Sequence, residues 1–168
     1  MSIRGMVEDV LNKFGERIVE KLRSDIRNKP LRRRDGKAYV ASASGKLERE
    51  LNYRVDANSI KVYANDYIYF LEYGRKPTQA TSGSGQVRKA IRQWIDDKGI
   101  VPRGISKDSL AYLIARSIHR NGTLLYPQGS DLISGCITDE MLSDFKNDLF
   151  LAVTDIVGQS LKTLKQAA

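Results

Sequence analysis

Between Ile3 and Ile26 an apolar side chain returns every three or four residues, at Ile3, Met6, Val7, Val10, Leu11, Phe14, Ile18, Leu22 and Ile26. At 3.6 residues per turn that spacing places all nine on one face of a helix. Glu8, Lys13, Glu16, Arg17, Glu20 and Lys21 fall on the other side. So long an apolar stripe has to be covered, and this need constrains everything that follows it in the chain. Pro30 ends the pattern and Asp35-Gly36 marks a turn. Residues 38–46 are small and polar and predict an ordered loop or a short edge strand.

A hairpin comes next. Leu51, Tyr53 and Val55 alternate with polar residues, Asp56-Ala57-Asn58-Ser59 supplies turn chemistry, and Ile60, Val62 and Ala64 resume the alternation. Two strands of this length cannot stand alone, and the first helix is the natural surface for them to lie against. Asn65-Asp66 can cap a short helix over Tyr67–Tyr73, and Gly74 suits the position past its end. The polar stretch at about 74–86, which includes Ser82-Gly83-Ser84-Gly85, reads as a loop that is mobile over 75–86 in the free subunit. Val87, Ala90, Ile91, Trp94 and Ile95 mark a second amphipathic helix with Arg88, Lys89 and Arg92 outside it. Ser106 caps a third, whose expected buried stripe is Leu110, Leu113, Ile114 and Ile118, closed by Asn121-Gly122. A last helix begins at Thr138 and runs to about Leu164 through Leu142, Phe145, Leu149, Val153, Ile156 and Leu161. The expectation is one α+β domain over residues 1–168: long N- and C-terminal helices and two shorter helices packed on a small antiparallel sheet.

Function classes can be excluded by residue type. The chain has 168 residues, one His and one Cys, so it holds no His/Cys set for a structural zinc and no intramolecular disulfide. No apolar run approaches the ~18 residues of a membrane span, and no secretory signal precedes the first helix, which predicts a soluble, intracellular chain without a membrane partner. His119, near a helix C-terminus, is favoured there on structural grounds, and Cys136 reads as a buried thiol. Asp96-Asp97 and Asp139-Glu140 lie at helix ends, where dipole and solvation account for them. Gly83-Ser84-Gly85 lacks the remainder of a dinucleotide fingerprint. The expectation is a non-enzymatic protein with no catalytic, cofactor or metal site.

Charge points further. Lys+Arg against Asp+Glu is 13 to 8 in residues 1–50, 9 to 5 in residues 51–105 and 6 to 7 from 106 onward, within a net +8. The densest basic stretch, Arg27 to Lys37, holds Arg27, Lys29, Arg32, Arg33, Arg34 and Lys37 against a single Asp35. It reads either as a phosphate-contacting arm or as a solvated loop beyond a helix end. A small basic DNA-binding protein is therefore one reading of the chain. Tyr63, Tyr67, Tyr69 and Tyr73 cluster at a spacing better suited to packing than to stacking on bases.

The run Tyr67-Ile68-Tyr69-Phe70-Leu71-Glu72-Tyr73-Gly74-Arg75-Lys76-Pro77 resembles the Tyr-x-x-x-x-Glu-x-Gly signature of tailed-bacteriophage tail-completion proteins, also described as head–tail joining, neck or minor tail proteins. The flanking order is similar as well. The long first helix, Ser44-Gly45-Lys46-Leu47 and a hairpin precede the signature; Ile91-x-x-Trp94-Ile95 and the run Ala111 to Thr123 follow it. The resemblance spans roughly residues 1–125. It implies a structural virion protein that is made in the bacterial cytoplasm and forms a ring homo-oligomer at the head–tail neck or head-proximal tail end. Portal, adaptor or tail-tube proteins would be its neighbours, with non-specific contact to DNA in the lumen. By resemblance Tyr67, Glu72, Tyr73, Gly74, Arg75, Lys76 and Pro77 belong to a subunit or partner interface, Tyr67 anchoring its helix and Glu72 pairing with Arg75 or a neighbour. The polar loop departs from the family's usual apolar or proline-bearing residues.

Overall fold

The computed structural model describes residues 3–78 and 85–166. Its elements are α1 (Ile3–Asn28), β1 (Leu31–Arg32), β2 (Ala38–Tyr39), α2 (Lys46–Glu50), β3 (Asn52–Asp56), β4 (Ser59–Tyr63), α3 (Tyr67–Tyr73), α4 (Gln86–Asp97), α5 (Lys107–Asn121) and α6 (Asp139–Gln166). The class is α+β, as the periodicities predict. The strands form two antiparallel pairs, β1 with β2 and β3 with β4, so a second small sheet joins the expected hairpin.

α1 organises the core. Phe14, Ile18, Val19, Leu22 and Ile26 are buried on it against Leu31, Leu51, Ile68, Leu71, Leu125, Leu132, Cys136 and Met141. The β3–β4 hairpin packs on the same helix, in the register Tyr53↔Val62 and Val55↔Ile60. Gly15 makes this seating possible: a Cβ there would come within 2.5 Å of the Tyr53 ring. α6 crosses a second face of α1. Phe14 and Phe145 stack with centroids 4.4 Å apart, flanked by the ion pairs Lys13–Asp148 at 2.7 Å and Arg17–Asp144 at 2.8 Å.

Caps follow the sequence. Ser106 accepts from the Ser109 N–H and Thr138 from the Met141 N–H. Of the expected Asn65-Asp66 pair at α3, Asn65 accepts from the Tyr67 N–H, at 3.1 Å, and Asp66 makes no side-chain cap. α2, the Lys46–Glu50 stretch, is a helical turn that begins where the expected loop ends; Arg23 donates to the carbonyls of Glu48 and Leu51 at its C-terminal end.

α4 and α5 pack on each other and form a unit outside the main core. Their contact face differs from the expected stripe. Ile95, Ala111 and Ala115 are buried, whereas Leu113, Tyr112 and Trp94 are exposed. Small alanines at the crossing let the backbones approach, which turns the larger leucine outward.

Candidate functional site

Residues 67–77 lie where α3, the end of α5 and the irregular stretch 122–137 meet. Glu72 is not an interface carboxylate. It is 4% exposed and accepts two backbone N–H bonds, from Ile133 at 2.6 Å and Ser134 at 3.1 Å. Its main-chain carbonyl accepts a third, from Ser130 at 2.8 Å. The expected pairing with Arg75 is replaced by this inward turn because the backbone donors of the 130–134 loop need acceptors.

Three glycines let the strands of this clasp touch. Gly74 has φ of 68° and carries its backbone past Leu125-Tyr126, where a Cβ would sit 2.5 Å from the Tyr126 nitrogen. At Gly122 a Cβ would lie 2.6 Å from the Arg75 carbonyl oxygen, and at Gly129 it would overlap that of Glu72. Hydrogen bonds then tie residues 75–78 to the end of α5. The Arg75 N–H donates to Thr123 Oγ1 and the Arg75 carbonyl accepts from the Thr123 N–H, at 2.8 and 2.9 Å. The Thr78 N–H donates to the His119 carbonyl at 2.8 Å, and Thr78 Oγ1 meets His119 Nδ1 at 2.6 Å. The expected mobile loop at 75–86 thus starts with fixed backbone through Thr78; residues 79–84 lie outside the described residues.

While Glu72 and Gly74 face inward, the opposite side of α3 is bare. Tyr69 is 58% exposed and Tyr73 64%, with Tyr63, Tyr67 and Phe70 also exposed. Tyr67 therefore does not anchor α3 in the core; Ile68 and Leu71 do. Its hydroxyl is nonetheless desolvated, which raises its pKa, and burial together with nearby Tyr67 pushes Tyr39 up to about 12. Arg75 lies over the Phe70 ring, 5.6 Å from its centroid, and Lys76 and Pro77 follow it on the way to Thr78. The tyrosines expected to pack internally are an external aromatic face. Their exposure is a consequence of which side of α3 Glu72 occupies, a long-range fact that helical spacing does not carry.

The basic stretch is divided. Arg33 pairs with Asp35, and Arg34 donates to the Asn121 carbonyl at 2.9 Å while its N–H donates to the Leu124 carbonyl. Arg32 and Lys37 extend into solvent. On α4, Arg92 bridges Asp96 and Asp108, Arg88 covers the Tyr112 ring at 5.9 Å, and Lys89 is exposed. Lys107 and Arg92 hold the Asp96 carboxyl below its ordinary value despite some desolvation. Cys136 is buried in the core and its thiol is pushed up by burial and by Asp25. Among the described residues no group of three or more His, Cys, Asp or Glu could hold a metal ion, and no helix is long and apolar enough to cross a membrane.

No protein-family model, curated protein or solved structure matches this chain.

Proposed function

We propose that this chain is a structural virion protein of a tailed bacteriophage, assembling side by side into a ring at the head–tail neck or the head-proximal end of the tail. The observation that carries the reading is the contrast across α3. The signature carboxylate and glycine fix the backbone from inside, and the same short helix presents Tyr69, Phe70 and Tyr73 to solvent from a rigid base. Aromatic residues on a preorganised backbone are the composition of protein–protein contact surfaces. A ring requires a heterologous interface, in which this patch meets a different patch of the next subunit. The uneven charge, positive through residue 105 and slightly negative beyond, supports such a pairing of unlike surfaces.

The second reading is a small basic DNA-binding protein. It keeps Arg32, Lys37 and Lys89 as exposed cations, with Arg34 exposed but tethered to the Asn121 carbonyl, and loses Arg33 to its pair with Asp35.

Light scattering of the purified protein across concentrations, at moderate salt, separates the two. The ring reading expects a discrete multimer larger than a dimer, which Tyr69→Ala/Tyr73→Ala reduces to a dimer or monomer without loss of helicity. A protein no larger than a dimer throughout, with salt-sensitive duplex binding that Arg32→Ala/Lys37→Ala abolishes, would replace it with the DNA-binding reading.

A further inference from the structure

Among the described residues, nothing covers the apolar side chains along the distal part of α6. Around the helix, Phe145 stacks on Phe14 of α1, and Leu149, Ala152 and Ile156, on the same side by helical geometry, are like it partly buried. Roughly 100° away, by helical geometry, runs a second stripe: Phe150, Val153, Val157, Leu161 and Leu164. All five are exposed, Phe150 at 69% and Leu164 at 68%. Apolar spacing alone puts Val153 and Leu161 in one stripe with Phe145; the helix divides them between two faces.

The second stripe steps by three, four, four and three residues, an average of 3.5, which is the seam of a coiled coil rather than of a surface helix. The steps are also palindromic about Val157. An antiparallel copy of the same helix, related by a two-fold axis through Val157, sets Phe150 against Leu164 and Val153 against Leu161 on both sides. We propose that α6 pairs with α6 of a second copy in this antiparallel register.

Area, charge and shape favour this occupant. The five side chains expose on the order of 500 Å² per copy, so pairing hides about 1,000 Å² in total before flanking residues are counted, which reaches the size of a specific interface. The first third of α6 holds Asp139, Glu140, Asp144 and Asp148 against Lys146, with Asp144 and Asp148 already paired to Arg17 and Lys13 of α1, and Lys162 and Lys165 lie near its end. Antiparallel pairing brings the basic end of one helix toward the acidic end of the other and opposes the helix dipoles; parallel pairing would set like against like. The positions nearest the seam, Thr154 and Ser160, are uncharged. The main-core contacts of α6, at Met141 and Phe145, lie toward its N-terminal end, and antiparallel pairing places these at opposite ends of the helix pair.

This pairing is isologous and does not depend on the ring. Val157→Asp places two like charges together at the two-fold axis, at a residue that makes no core contact. We expect the variant to keep the helicity of the wild type, to weaken self-association about a hundredfold or more, and to halve the particle mass whether the wild type is a simple dimer or a larger assembly. Register is read by mixing Phe150→Cys protein with Leu164→Cys protein and adding a short bis-maleimide; the buried Cys136 stays silent. Cross-links that join a Phe150→Cys copy to a Leu164→Cys copy, and not two Leu164→Cys copies to each other, fit the antiparallel seam. A wild type that is monomeric at the highest attainable concentration overturns the proposal. So does a multimer whose mass Val157→Asp leaves unchanged, or one cross-linked mainly between identical positions. Loss of a ring on Tyr69→Ala/Tyr73→Ala with the Val157-dependent dimer intact would implicate α3 alone, so the two readings fail separately.

Discussion

The clasp around Glu72 and the distal half of α6 are opposites. In the clasp, the carboxylate accepts from Ile133 and Ser134, the Glu72 carbonyl from Ser130, and glycines at 74, 122 and 129 stand where any Cβ would meet backbone. In distal α6, Phe150, Leu151, Val153, Val157, Leu161 and Leu164 all face water, although each would gain from burial. The contrast separates residues that hold one chain together from residues available to hold chains to each other. It also changes how the signature is understood. Glu72 and Gly74 act within the chain by fixing the loops at 122–134, and the aromatic residues between and around them face solvent.

Changes in the clasp should carry the largest costs. Gly129→Ala forces a Cβ onto the Glu72 carbonyl at a φ of 73°, and we expect a loss of about 3 kcal/mol or more in denaturant unfolding. A loss below about 1 kcal/mol would mean that the loop relaxes and the clasp is loose. Glu72→Gln keeps the shape but turns an amide N–H₂ toward a backbone N–H, leaving a buried donor without an acceptor. Its expected cost is roughly 2 kcal/mol, smaller than that of Gly129→Ala. The exposed α6 seam should respond least. Val157→Asp should move the unfolding free energy of the monomer by no more than about 0.5 kcal/mol while acting strongly on association, and a large drop in monomer stability would place Val157 in the core after all.

Much of this organisation is legible from the residues. Three- and four-residue spacing marks α1, α4, α5 and α6, alternation around Asp56–Ser59 marks the hairpin, and Ser106 and Thr138 announce helix starts. Short elements escape because they lack a full period to read: α2 is five residues, four of them charged, and β1 and β2 have two residues each. The clasp escapes for another reason. Glu72 meets partners 61 and 62 residues away, and Gly129 serves a carbonyl far upstream, so neither role leaves a local pattern. In α5, hydrophobicity alone selects Leu113 over Ala111, whereas close helix packing selects the alanine. In α6, two stripes about 100° apart merge into one when only apolar spacing is counted. The candidate segment 67–77 stands out in the sequence as a run of aromatics around one Glu and one Gly, but its inward and outward residues sort only in three dimensions.

The central claim is that the clasp is completed within one chain and distal α6 between chains. Amide hydrogen exchange measured at low and at high protein concentration tests it most directly. The account predicts that the amides of Ser130, Ile133 and Ser134 exchange slowly and equally at both concentrations, while those of residues 150–164 gain protection as concentration rises. Exchange in residues 150–164 that is independent of concentration, or clasp amides that become protected only on association, would contradict it.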